Sequence, residues 1–295
     1  MFDAFLASRK EFSKSVAEGT YSNGLDSAGF ADGYGQFSQD VLIPAFVSAY
    51  TNSKVKNTNK IFKAIPRLNW RVNYDGLSKL EQVKKYFKTV TLGHTYRSTL
   101  NIGTYTWNPL FIDEDGFGNT SVRNLDGDFR SRKEINSITL SEQFSPLFSV
   151  DMTWNNSLIT KAEMKKDRMV TLTISTKQIT EVNGNEYIFG LGYRFKNVAI
   201  NLKQFNMKFK SDLALRSDVS YRRNQTALRY VDTGASILTS GQKVWSIKNS
   251  ADYIINEKLN IRFFYDQTIN RPVVSTSFPT SNRQIGISLR LTIAN

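Results

Sequence analysis

The sequence predicts an all-β chain, an antiparallel sheet forming a transmembrane β-barrel wall, with short helices in its N-terminal part. Three observations predict it. From residue 67 onward the dominant period is two, with apolar and polar residues alternating. Many alternating segments exceed ten residues, whereas strands of soluble proteins are usually nearer 5–6. Aromatic residues reach 13% (20 Phe, 13 Tyr, 4 Trp) in a chain whose mean hydropathy is −0.37. A barrel strand needs only about 9–11 residues and is apolar at every second position, so such a chain looks polar on average.

Composition narrows the field. With 295 residues the chain makes one large domain or two small ones. Apolar residues are 40% and charged residues 22%, enough for a core, which excludes wholesale disorder. Cysteine is absent, which excludes a disulfide framework, a zinc-thiolate site and a catalytic thiol. The single histidine, His94, excludes a His-paired metal site within the chain. The net charge is +13. Residues 1–66 hold seven basic and six acidic side chains, so nearly all of the excess lies in the body. No run of 18 apolar residues exists, and near Met1 the charges follow a short apolar stretch, so no secretory signal is visible.

Taken in order, residues 1–66 read as an irregular Gly- and aromatic-rich segment: a plug, a loop in the lumen or a cap. Helices are expected near Phe2 to Val16 and near Val41 to Tyr50, with Pro44 in the first turn of the second. Residues 67–295 read as antiparallel strands, roughly nine to eleven. Leu68, Trp70, Val72 and Tyr74 alternate with Asn69, Arg71 and Asn73. A helical interlude follows at Leu77, Leu80, Val83 and Phe87. Val90 to Trp107 is one long strand bent at Gly93 or Gly103, and 108–132 is loop.

Phe148, Val150, Met152 and Trp154 then face one way, and Asp151 the other. Val170, Leu172 and Ile174 begin a hairpin whose turn is expected at Asn183-Gly184. Tyr187, Phe189, Leu191, Tyr193 and Phe195 follow, with Gly190, Gly192 and Arg194 between them. Leu213 to Tyr221 and Trp245 to Ile255 repeat the pattern, the latter with Lys248 and Asp252 on its polar side. After a turn at Asn256-Glu257-Lys258 come Leu259, Ile261, Phe263 and Tyr265, with Arg262 opposed. Ile285, Ile287, Leu289, Leu291 and Ile293 form the closing C-terminal strand, with Arg290 on its polar side. Rings at Trp154, Tyr187, Trp245 and Tyr265 are expected near strand ends, as interfacial girdles require. The expected lipid-facing set therefore runs from Phe148 through Ile293, and Asp151, Arg194, Lys248, Asp252, Arg262 and Arg290 are expected to face a wet lumen. A soluble β-sandwich or up-and-down barrel is the alternative reading of the same pattern.

Candidate chemistry is sparse. His94 lies in strand context with no nucleophile beside it and reads as a structural histidine. Asp113 to Asn119 has calcium-loop character, but the fifth position is Phe117, so it reads as a solvated loop tip. Gly190 and Gly192 lie inside a strand, where glycine makes room for a neighbouring backbone. Lys161, Lys165, Lys166 and Arg168 form the densest basic cluster and read as a solvated turn or interfacial anchor. The scattered cations suit a lumen lining or anionic lipid headgroups, and no nucleic-acid module is recognisable, so nucleic acid is not an expected partner. No catalytic, cofactor or metal constellation emerges; the chain does not read as an enzyme.

Several stretches carry a resemblance. They are Ile65 to Lys79, which includes Pro66, Asn69, Trp70, Tyr74, Asp75 and Gly76; Gln39 to Phe46; His94 to Thr99; Glu142 to Leu147; Glu181 to Phe195; and Ser250 to Tyr253. In order and over nearly the whole chain, they resemble the C-terminal region of SprA/Sov proteins, the outer-membrane translocon of the type IX secretion system. The resemblance implies a section of a very large outer-membrane barrel that exports folded cargo, a process linked in that family to gliding motility. It implies as partners the remainder of the barrel, a small shuttle barrel (PorV-like) and a plug protein at a lateral opening, secreted cargo and outer-membrane lipid. It implies a Bacteroidota-type Gram-negative outer membrane and no catalytic residues. The chain departs from the family in length and in lacking a signal peptide, so it is expected to be the last portion of a longer wall. Two further readings stand beside it: a self-contained porin or solute transporter, and a soluble basic β-fold that binds polyanions.

Overall fold

A computed structural model of the chain describes residues 1–51, 68–202, 207–255, 259–274 and 277–291. Eleven strands stand among them. They are β1 (Trp70–Tyr74), β2 (Phe87–Ile102), β3 (Tyr105–Trp107), β4 (Lys133–Ile135), β5 (Ser137–Trp154) and β6 (Leu158–Thr173), followed by β7 (Gln178–Leu202), β8 (Met207–Tyr230), β9 (Ser236–Ile254), β10 (Leu259–Pro272) and β11 (Thr280–Leu291). Nine of them form one sheet in the order β1-β2-β5-β6-β7-β8-β9-β10-β11, while β3 and β4 pair separately. Every pairing is antiparallel. The chain is thus all-β in class, built as a meander of hairpins. Among the described residues β1 and β11 each have a partner on one side only, so the sheet is open.

The long strand expected at Val90 to Trp107 is irregular at one candidate glycine and ends at the other. Register shifts between Gly93 and Tyr96, and the strand ends at Ile102 before Gly103. Phe87 opens β2; the helical interlude before it is only a 3-10 turn (Gly76–Lys79) and one turn of helix, α3 (Glu81–Lys84). Strand pairing with Trp154 claims Phe87 first.

The Asn183-Gly184 hairpin does not form. Both residues lie inside β7, with Asn183 opposite Arg168 and Gln225, and Gly184 opposite Asp167 and Asn224. A two-residue hairpin of that type needs positive φ at both central residues, and neither residue has it. The turn falls earlier, at residues 174–177, where Lys177 takes φ 54° and its N–H donates to the Ile174 carbonyl at 3.1 Å. Gly184 serves the sheet differently: a Cβ there would meet the Asp167 carboxylate at 2.5 Å. Gly190 behaves alike, since its vacant space holds the Asp218 carboxylate at 2.5 Å rather than a backbone.

The N-terminal helices are α1 (Phe2–Ala17) and α2 (Gln39–Thr51). Because α2 starts at Gln39, Pro44 sits in its interior, past the first turn. Nine of its 13 residues are buried, so it is apolar nearly all round, as a core helix is. Among the described residues no helix is long and apolar enough to cross a membrane. Phe2, Phe5, Leu42, Ile43, Phe46, Val47 and Tyr50 pack with Ile138, Leu140, Val170, Leu172 and Ile179 from β5 to β7 in one buried cluster. Each such large side chain stabilises by about 1.5–3 kcal/mol when fully buried. The Gln39 amide fastens α2 to β4, donating to the Lys133 carbonyl and accepting from the Ile135 N–H, both at 2.7 Å.

Candidate functional site

Register sorts the side chains of the large sheet onto two faces. On one, the cross-strand rows from Phe148 to Leu291 are mostly apolar. Phe148 lies opposite Met164, then Tyr187, Tyr221, Trp245 and Ile269 in successive strands. Further along the strands come Val150, Ala162, Phe189, Val219 and Ile247. Next are Met152, Thr160, Leu191, Ser217, Asn249, Tyr265 and Ile285, then Trp154 on β5 with Leu158, Tyr193, Leu215, Ala251, Phe263 and Ile287. Phe195, Leu213, Tyr253, Ile261 and Leu289 follow, and Leu259 opposite Leu291 ends the series. Every sequence-predicted lipid-facing residue falls on this face except Ile293, which lies outside the described residues. Large rings and aliphatic chains stand exposed on it: Phe148, Tyr187, Phe189, Trp245, Phe263 and Leu289 among them. A continuous exposed apolar surface of this extent marks contact with a partner or a membrane. Of the four rings expected at strand ends only Trp154 ends one; Tyr187, Trp245 and Tyr265 are interior, because the strands run on past the ring rows.

The opposite face is polar. One row reads Asp151, Lys161, Gly190, Asp218, Lys248, Asp266 and Gln284. Another reads Arg194, Ala214, Asp252, Arg262 and Ser288, and Arg290 lies opposite Asn260. All six residues expected on the wet side therefore share one face. Ion pairs lace it: Lys161 to Glu163 at 2.8 Å, Lys165 to Glu163 and Glu186, Arg222 to Asp167 at 3.2 Å, and Arg262 to Asp252 at 2.5 Å. The basic cluster Lys161, Lys165, Lys166 and Arg168 lies wholly within β6 and forms no turn. Strand alternation splits it: Lys161 and Lys165 join the polar face, Lys166 and Arg168 the other.

The helices sit on the apolar-row face, over the far ends of the strands. Pairing of β6 with β7 runs unbroken from Leu158 to Thr173, so Val170 and Leu172 share their face with Ala162 and Met164. Two ion pairs seal this junction. Arg168 meets Glu142 at 2.5 Å and also donates to the Tyr50 carbonyl; Arg229 meets Glu181 at 3.0 Å and lies over the Phe2 ring. Burial pushes the Tyr50 phenol up to about 12. The glycine-rich loop between α1 and α2 is tied by buried Ser13, which donates to the Tyr34 carbonyl and accepts from the Ala31 N–H. Arg123 grips Asp32 through two hydrogen bonds, at 2.9 and 2.7 Å, and holds that carboxylate below its ordinary range. Burial pushes the neighbouring Asp128 carboxyl up, although its Oδ1 accepts the Gly35 N–H at 2.6 Å.

Stretches that sequence analysis singles out separately come together here. His94 to Thr99 runs alongside Glu142 to Leu147, and Trp70 lies opposite Tyr96. The Trp70 and Tyr96 rings lie 4.5 Å apart and Tyr96 and Phe144 4.8 Å apart, with His94 at the edge of the cluster. His94 Nδ1 lies 2.6 Å from the Leu147 carbonyl, the satisfied structural position expected of it. Asn69 accepts the Ser98 N–H, and Tyr96 donates to Glu142. Tyr74 reaches over Gly76, where a Cβ would lie 2.5 Å from its hydroxyl, and Asp75 precedes the 3-10 turn without capping it by its side chain. Pro66 and the turn at 256–258 lie outside the described residues, apart from the flanking bond of Ile255 N–H to the Leu259 carbonyl. In the loop at 113–119 the Asp113 and Asp115 carboxylates accept backbone N–H groups of Gly118, Phe117 and Asn119. No family model matches the chain, and no curated protein sequence matches it.

Proposed function

We propose that this chain is a wall section of a protein-conducting β-barrel in the outer membrane of a Bacteroidota-type bacterium: the C-terminal part of a type IX secretion translocon that exports folded cargo. One observation carries the membrane reading. Seven consecutive strands, β5 to β11, present mostly apolar rows in register on one face and polar rows, ion-paired across β6 to β10, on the other. Hydrocarbon on one side and water on the other ask for that division. The open sheet supports the section reading, because an unpaired strand edge in lipid leaves N–H and C=O groups unmet at several kcal/mol each. Further strands, on the rest of the wall, would meet those edges. The collinear motifs named above supply the translocon identity, and with it the shuttle barrel, the plug protein and the cargo as partners. On this reading the N-terminal helices form a cap outside the lumen, since they pack on the apolar-row face.

The test is fractionation of the native host followed by detergent extraction. The chain is expected in the outer membrane, co-purifying with further barrel strands. Recovery as a compact monomer in the soluble fraction without detergent would sink the proposal. A self-contained porin is the weaker reading because the described sheet does not close. Discrete ion channels from the purified chain in planar bilayers would revive it.

A further inference from the structure

One cross-strand row on the apolar-row face differs from all the others. Lys166, Asn185, Arg223, Lys243 and Arg271 lie opposite one another across β6 to β10. Neighbouring strands lie about 4.8 Å apart, so the four steps span roughly 19 Å. All four cations are exposed. Among the described residues none has a carboxylate within ion-pair distance, whereas Lys161, Lys165, Arg222 and Arg262 on the polar face each reach one. On the helix side of the row, Arg168 and Arg229 are already committed to Glu142 and Glu181. On the other side the next row is the one carrying Tyr187, Tyr221 and Trp245. From this basic row to the strand ends away from the helices, the described part of the face on β6 to β11 carries no Asp or Glu, and one further cation, Arg283.

A surface built for water alone intersperses both signs. Here uncompensated cations stand in line immediately beyond a row of amphipathic rings and an apolar field. The complement of that surface is an amphiphile with an anionic head. Arg223 and Arg271 offer planar forks that match phosphate oxygens in pairs, and Lys166 and Lys243 add point charges. Anionic headgroups favour juxtamembrane Lys and Arg in the same way. We propose that this row is a belt that binds the phosphate headgroups of anionic lipids in one leaflet. The inference rests on the membrane-wall reading and deepens it, naming both the ligand and the depth at which the sheet is held.

The test reconstitutes the full chain into phosphatidylcholine vesicles containing a minor fraction of phosphatidylglycerol. Spin-labelled versions of each lipid report relative association with the protein, and protease protection reports insertion. Phosphatidylglycerol is expected to be enriched at the protein and to lose about fivefold in relative affinity per cation removed. The variant K166Q/R223Q/K243Q/R271Q should bring the enrichment near unity. A control, R194Q/R216Q/K248Q/R290Q, removes four charges from the polar face and should keep it. Strand content by circular dichroism checks folding; if the quadruple variant loses it, K166Q/K243Q replaces it and should show a partial loss. Equal loss in belt and control variants, or no enrichment in the inserted wild-type chain, overturns the belt alone. A wild-type chain that never enters the vesicles overturns the wall reading, and the belt with it.

Discussion

Leu289 and Ser288 are adjacent on β11, yet they face opposite ways, opposite Ile261 and Arg262 respectively. Under the wall reading, Leu289→Arg should cost roughly 2–4 kcal/mol in vesicle-reconstituted chain and Ser288→Arg little. Denaturant titrations giving equal costs would reverse the assigned faces. Two carboxylates near the helices make a second contrast. Asp128 is shifted up by burial, so its contribution favours the folded state at low pH and fades as pH rises through its folded value. Asp32 is shifted down by Arg123, so its contribution is complete above the ordinary carboxylate range and is lost as pH falls through the depressed value. Acidification from neutrality should therefore first firm this region and then loosen it. Protection of the Gly35 N–H in pH-stepped hydrogen exchange reads both arms, and Asp128→Asn should abolish the firming. Single residues also mark where sequence reading ran out. His94 reads as a structural histidine, and its Nδ1 lies 2.6 Å from the Leu147 carbonyl. The Lys166 row was not legible, because a lysine's neighbours across four strands depend on a register that no local pattern carries.

At the scale of elements, the helices and the alternation of β5 to β11 were legible, since each is a local periodicity. The Asn183-Gly184 hairpin was misread because a turn dipeptide competes with the strand around it. Continuous pairing on both sides of β7 outweighs the dipeptide's preference, and Gly184 leaves room for the Asp167 carboxylate. Pro44 was misplaced because the helix start is set by Gln39 anchoring to β4, a contact 94 residues distant. The side of the sheet that α1 and α2 cover was equally hidden, being a matter of packing rather than period. Phe46 is fully buried at the centre of that packing. Phe46→Ala should cost about 3–5 kcal/mol of the helix–sheet contact. The expected readout is early loss of protection in α1 and α2, with strand content by circular dichroism retained. Simultaneous loss of both would mean that the helices and the sheet fold as one unit.

For the whole molecule, the consequence of an open meander is a gradient of protection. Among the described residues β2 and β5 to β10 have neighbours on both sides, and β1 and β11 on one. Hydrogen exchange of the isolated chain in detergent should rank β7 slowest and β1 and β11 fastest. Uniform protection out to both edges would mean that the sheet closes or is capped. The same openness predicts no discrete single-channel steps from the chain alone in planar bilayers. All-β class and hairpin connectivity could be read from the sequence; closure could not, because it depends on which strand ends find each other.

Under the wall reading, the helices and the rows beside them would also work as a gauge. On β7 the apolar rows run from Tyr187 to Phe195, eight residue steps. At about 3.4 Å per residue that is roughly 27 Å along the strand, and near 20 Å once a barrel-like tilt is allowed for. The sheet would not slide deeper to suit a thicker layer, because the basic row, and after it the Arg168 and Arg229 ion pairs and the helices, would enter hydrocarbon. Nor can it rise without wetting the rings. A bilayer that receives it must match a fixed hydrophobic thickness, and the bacterial outer membrane is thinner than average. Mismatch would then sort this chain among membranes before any partner recognises it.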